Sequence, residues 1–162
     1  MKILNNSLFT ELQNTATAST RGRSHHILHP EPEDSVQRMC VAVNPGSYIQ
    51  PHRHANPAKW ELFLIIKGSA SILTFDNKGE VTQKTDLDPN GPSHAVEIPE
   101  NTWHTLVCHA KDTILVEVKP GPYTPLTDKD FAPWAPKEGD ESVIEFEKQM
   151  RTAKVGDRFT SK

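Results

Sequence analysis

Cysteine is scarce in this chain: Cys40 and Cys108 are the only two in 162 residues. Two isolated thiols with no dense spacing exclude a disulfide-stapled secreted scaffold. Long apolar runs are missing too, and none approaches the roughly 20 residues that a bilayer-crossing helix needs. After Met1-Lys2 the apolar pair Ile3-Leu4 gives way to Asn5-Asn6-Ser7, so no signal-peptide apolar region is present. Nor does one sign of charge dominate. Eighteen Lys and Arg stand against 21 Asp and Glu, a net charge of −3, which gives no bulk attraction to nucleic acid or to an anionic membrane. The expectation is a cytoplasmic protein without nucleic-acid or membrane partners. No internal repeat and no low-complexity tract interrupts the chain.

What the sequence does have is turns. Thirteen prolines and eight glycines imply many short elements, and the length suits one domain with a real core. Ser7 could cap a short helix through Leu8, Phe9, Leu12 and Ala16. Strands are expected at Gln37–Val43, Gly46–His54, Trp60–Ile66, Ser69–Phe75, Val81–Leu87, Ala95–Ile98, His104–Cys108 and Thr113–Lys119. Strands this short and evenly spaced predict an all-β double-sheet jelly-roll barrel. The organisation expected is an N-terminal helix and Arg/His-rich segment over residues 1–35 packing on a barrel at 36–122. A Pro-rich segment and an irregular polar C-terminal tail follow at 123–162, the tail expected to be loosely held beyond about Gly139 and to carry one helical turn or two.

The chemistry concentrates around the second and third strands. His52 and His54 are two apart, so in extended backbone both imidazoles point the same way. Glu61, opening an apolar strand beyond a turn, and His104, from a distant strand, can close a site around them. Three nitrogens and one carboxylate suit one divalent transition metal (Fe, Mn, Ni, Co, Cu or Zn) far better than Ca or Mg. Trp60 and Trp103 neighbour these residues but face away by alternation, and read as packing.

The stretch Gly46, His52-Arg53-His54, Glu61, Gly68, followed by Pro99-Glu100-Asn101-Thr102-Trp103-His104, resembles the paired motifs of the cupin superfamily. More closely, the chain resembles the WbuC family of cupin-fold metalloproteins. The segments that carry this likeness are Arg21-Gly22-Arg23-Ser24-His25-His26, Val36-Gln37-Arg38-Met39, Lys59-Trp60-Glu61, Glu117 to Tyr123 and Lys129 to Pro136. The resemblance covers about residues 5–139. It implies a cupin-type double-stranded β-helix and an association with bacterial surface-polysaccharide gene sets, with no settled activity. Three departures stand out. Six residues rather than three or four separate His54 from Glu61. Seven rather than five separate Gly91 from Pro99. Cys108 replaces an Asn, and reads as a small apolar filler.

A second cluster, Arg21, Arg23, His25, His26 and Arg38, lies upstream. Folded over the barrel mouth, it would bring guanidinium forks toward the metal, suited to phosphate or carboxylate. Arg21, Arg23, His25, Arg38 and Lys119 are therefore the expected contacts of a small anionic molecule, and His25, His26 and Tyr48 the expected proton-transfer groups. Two classes of function follow. One is a metal-dependent enzyme, an isomerase or epimerase of a sugar phosphate, nucleotide sugar or sugar acid, or else an oxygenase. The other is a non-enzymatic metal- and metabolite-binding protein. A homodimer is left open.

Overall fold

Asn5 caps the first helix, its side chain accepting from Leu8 N at 3.1 Å, so the cap falls two residues before the Ser7 expected. In this computed structural model, which describes residues 1–160, that helix is α1, Asn6–Ala18. Leu12 and Ala16 are buried against Cys40, Ala42 and Ile114. No helix among the described residues is long and apolar enough to cross a membrane.

Eight strands follow: β1 Arg23–Ile27, β2 Val36–Val43, β3 Glu61–Lys67, β4 Ala70–Phe75, β5 Val81–Leu87, β6 Ala95–Ile98, β7 Trp103–Cys108 and β8 Thr113–Pro120. They form a five-stranded sheet in the order β1-β2-β8-β3-β6 and a three-stranded sheet in the order β5-β4-β7, every pairing antiparallel. Strand β8, last in the chain, lies between β2 and β3. This is the expected jelly-roll barrel. Its interior is packed by Val43, Phe63, Ile72, Leu87, Ile98 and Leu115. Each fully buried aliphatic or aromatic side chain contributes about 1.5–3 kcal/mol.

Two expectations need correction. Gly46–His54 is not a continuous strand; it is extended chain with single bridges, one of which pairs His52 with His104. Alternation still holds in extended backbone, so the two histidines keep a common side. The Arg/His segment, where no strand was expected, is strand β1, which zips onto β2 from Arg23↔Val43 to Ile27↔Met39.

The irregular tail is the larger correction. Residues beyond Gly139 contain helix α2, Val143–Thr152, and bury Phe146, Met150, Ala153 and Phe159 against Leu73, Phe75, Trp103 and Trp134 of the three-stranded sheet and its surroundings. Aromatic rings interlock there, with Phe75–Trp134 centroids at 4.9 Å and Phe146–Phe159 at 5.3 Å. Val143, Phe146 and Met150 recur at helical spacing, which puts one apolar stripe on an otherwise polar segment. Phe159 N donates to Gly79 O at 2.9 Å. Gly79 has φ +82°, and a Cβ there would meet Phe159 O at 2.3 Å, so this junction requires glycine.

Candidate metal centre

The bridge between His52 and His104 is a reciprocal pair: His52 N donates to His104 O at 3.0 Å and His104 N to His52 O at 2.8 Å. It sets their rings 4.5 Å apart, centroid to centroid. His54 arrives two residues on, and Glu61 enters from the first position of β3. The cluster therefore joins both sheets at one end of the barrel. One ligand atom from each of His52, His54, Glu61 and His104 lies within 4.8 Å of the others. The side chains of Glu61 and His104 are only 3% exposed and that of His54 is 10%.

The donor atoms are pre-arranged. Nδ1 of His52 lies 3.0 Å from Gln50 O, and Nδ1 of His104 lies 2.8 Å from Thr102 O. A carbonyl only accepts, so each Nδ1 carries its proton and each Nε2 turns a lone pair inward, as in histidines whose far nitrogen is fixed by a backbone carbonyl while the near one binds a metal. His104 Nε2 is 2.9 Å from Glu61 Oε2. His54 Nε2 is 2.8 Å from Glu61 Oε1 yet has no hydrogen-bond partner of acceptable geometry. Lone pairs this close repel unless a proton or a cation lies between them. A buried N3O set with an orphaned imidazole nitrogen fits a transition metal.

Electrostatics agree. Burial alone would raise the Glu61 pKa, but the His104 and His54 imidazoles at its two oxygens and the Lys119 ammonium outweigh it and hold the carboxyl well below its ordinary range. Burial, reinforced by His104 and His54, pushes His52 down to about 3, so it is neutral. Lys119 Nζ sits 2.8 Å from Glu61 Oε1 and 2.6 Å from Glu117 Oε1. Burial opposes its charge, but the two carboxylates hold its pKa above the ordinary value.

A cavity of about 760 Å³ opens beside the cluster, lined by all four cluster residues and by Arg21, Arg23, His25, Glu117, Lys119 and Glu138. The structure thus brings Arg21, Arg23, His25 and Lys119 to the same cavity as the cluster. It does not bring Arg38, His26 or Tyr48. On β2 the cavity wall is Gln37, Met39, Val41 and Val43, so Arg38, on the opposite parity, is exposed on the outer face. His26 shares parity with Ser24, whose hydroxyl donates to Leu12 O of α1 at 2.7 Å, and so lies off the cavity face. Tyr48 is 4% exposed and its hydroxyl donates to Pro136 O at 2.7 Å. Burial raises its pKa, and it serves packing. His25 stands at the cavity mouth, where partial desolvation and the cations Arg23, Arg21 and Lys119 push it down to about 4.

Glu117 and Glu138 are among the cavity residues that escaped the sequence reading. Glu117 shares inner-face parity with Leu115 and Lys119, and a charge on that parity was the available signal. Glu138 lies in a turn after the proline-rich segment, where nothing local points inward. Cys108 is fully buried, donating to Val43 O and Ala110 O, and fills the core as expected. Trp103 is buried too, with Arg53 stacked 4.3 Å over its ring.

The class defined by fold and site is a jelly-roll barrel with a three-His, one-Glu cluster at the mouth of its cavity. A family model described as a domain of unknown function (DUF6016) matches residues 4–87, and the chain belongs to that family. The comparison with curated proteins gives no match. Among solved structures, KdgF from Halomonas sp. is similar, with 20% identity, 66% of this chain and 82% of that one covered, and a TM-score of 0.47. A cupin superfamily protein from Desulfitobacterium hafniense is similar at 19% identity, covering 60% of this chain and 76% of that one, TM-score 0.47. A cupin-2 domain protein from Shewanella frigidimarina is similar at 19% identity, 60% and 80% covered, TM-score 0.45.

Proposed function

We propose that this protein is a metal-dependent cupin that takes a small organic anion into its cavity and catalyses an isomerisation or epimerisation. The observation that carries the reading is the buried N3O set of His52, His54, His104 and Glu61, whose donor atoms converge within 4.8 Å while backbone carbonyls hold two of the Nδ1 protons. A divalent transition metal bound there would act as a Lewis acid on a carbonyl or hydroxyl of the ligand. The chain itself supplies the proton chemistry. His25, neutral through most of the physiological range because its pKa is pushed to about 4, can accept a proton at the cavity mouth, and Glu117 adds a carboxylate to the wall. Lys119 fixes Glu61 and Glu117 at a set separation, which orients the ligand carboxylate of the cluster. The resemblance to the WbuC family supports a role in surface-polysaccharide biosynthesis, with sugar phosphates, nucleotide sugars and sugar acids as the first substrates to try.

The test joins metal analysis of protein purified without added metal to solvent-deuterium incorporation into that panel. A bound transition metal, with exchange that is lost in His25→Ala, is the expected result. Metal without exchange on any substrate would leave a binding protein rather than an isomerase, and absence of metal would end the reading altogether. A second reading, oxygen chemistry, is favoured by the same three-His, one-Glu donor set, which suits iron. Ligand-dependent oxygen uptake would select it.

A further inference from the structure

The cavity has a second charged pole, away from the four-residue cluster. Arg23 and His25 share the inner face of β1, and Arg21 precedes them. Arg21 Nε and Nη2 donate to the two oxygens of Glu138 at 2.7 and 2.8 Å, a fork-on-carboxylate pairing. Arg23 Nη2 donates to the same oxygens at 2.9 and 3.0 Å. Arg23 is also anchored independently: its Nη1 donates to Tyr48 O at 2.9 Å, and its side chain is 6% exposed. The guanidinium is therefore held in place whether or not Glu138 is there.

The other members of the pole are open to water. Arg21 is 57% exposed and Glu138 36%, so solvent screens their pairing and exchanging one carboxylate for another costs little. Glu138 sits in a turn beside Gly139, whose φ is +100° and around which no atom lies within 4 Å of a Cβ position.

Strand order separates the two poles. Arg23 is on β1 and Glu61 on β3, three places along the sheet, or about 14 Å at the usual strand spacing. They differ along the strands as well. Arg23 is opposite Val43 at one end of β2, while Lys119, bonded to Glu61, is opposite Gln37 at the other. Between them the wall is Met39, Val41 and Ile49 with His25, and His25 feels Arg21 and Arg23 from one side and Lys119 from the other.

We infer that Arg21 and Arg23 form a second anion subsite, held by the Glu138 carboxylate until a ligand displaces it. The cavity accordingly selects elongated anions with one polar group at the His/Glu cluster and an acidic group at the arginines. The near end of this inference rests on the proposed function; the far end rests on Arg21, Arg23 and Glu138 alone.

The probes are α,ω-dicarboxylates graded in length (succinate, adipate, suberate, sebacate) against the matching monocarboxylates, with binding measured by calorimetry and melting temperature followed as a folding control. Arg21, being exposed, is replaced instead of the anchored Arg23. Long diacids should bind at least about tenfold more tightly than monoacids of equal length, and Arg21→Ala should erase most of that margin. Glu138→Gln, which removes the resident charge and keeps the shape, should tighten diacids several-fold. Equal affinity for the two series, an unaltered margin in Arg21→Ala, no gain in Glu138→Gln, or no binding of any diacid each overturns the inference. Metal content is measured on the same protein. A sample without metal that keeps an Arg21-dependent preference for long diacids would sink the proposed function and leave this subsite standing.

Discussion

The two sheets of the barrel are finished in opposite ways. The three-stranded sheet is covered on both faces over β4 and β7: inside by the barrel core, outside by the segment that carries Trp134, Phe146, Met150 and Phe159. The inner face of the five-stranded sheet instead turns charged and imidazole side chains toward an open cavity. One side has rings in contact, although it also buries Glu147, paired with Arg151, and leaves Trp134 Nε1 without a partner. The other concentrates carboxylates, cations and imidazoles whose burial is costly without a partner. Stability and chemistry are thus assigned to different sheets, and they meet where β7 of the closed sheet delivers His104 to the open side.

That division can be broken by measurement. The largest effect is expected from His52→Ala and His104→Ala, which should reduce metal content to near zero while the metal-free proteins melt close to wild type. Collapse of the fold in either would show that the cluster is part of the structural core. Next comes Phe159→Ala on the closed side, expected to cost about 3–5 kcal/mol in denaturant unfolding with metal content unchanged. If this variant folds but loses its metal, the two sides are coupled. Gly79→Ala, which presses a methyl group toward Phe159 O and keeps a positive φ, should cost about 1–3 kcal/mol and again leave metal content alone. The smallest effect is expected from Arg38→Ala. Being exposed on the outer face, it should change stability by no more than about 0.5 kcal/mol and leave anion binding as in wild type. A clear loss of anion affinity there would mean that the cavity wall is drawn on the wrong parity of β2.

Much of this was legible from spacing. His52-x-His54 gave the shared side, and the six-residue step from Glu61 to Gly68 kept the carboxylate facing inward despite the long preceding turn. Val81–Leu87 and Ala95–Ile98 stand where the alternation put them. Arg38 and His26 were misplaced because a charge cluster was read by proximity in the chain, whereas a strand sends neighbours to opposite faces. The tail was misread because its average composition is polar, and an average erases the periodicity of Val143, Phe146 and Met150. Glu138 had no local signal at all; only the return of the chain over the barrel brings it to Arg21 and Arg23.

The place of β8 has a consequence for the birth of the protein on the ribosome. Strands β2 and β3 have both emerged long before β8, yet neither is paired with the other; each waits for a strand ending at Pro120 to slot between them. At ordinary elongation rates that interval is on the order of ten seconds, during which two apolar strands present bare edges. A fragment ending at Leu87, where the family match stops, would prolong that state indefinitely, with His52, His54 and Glu61 in hand but without His104 or the strand that seals the sheet. Closure of the barrel and completion of the four-residue cluster therefore both wait for the segment from His104 to Pro120.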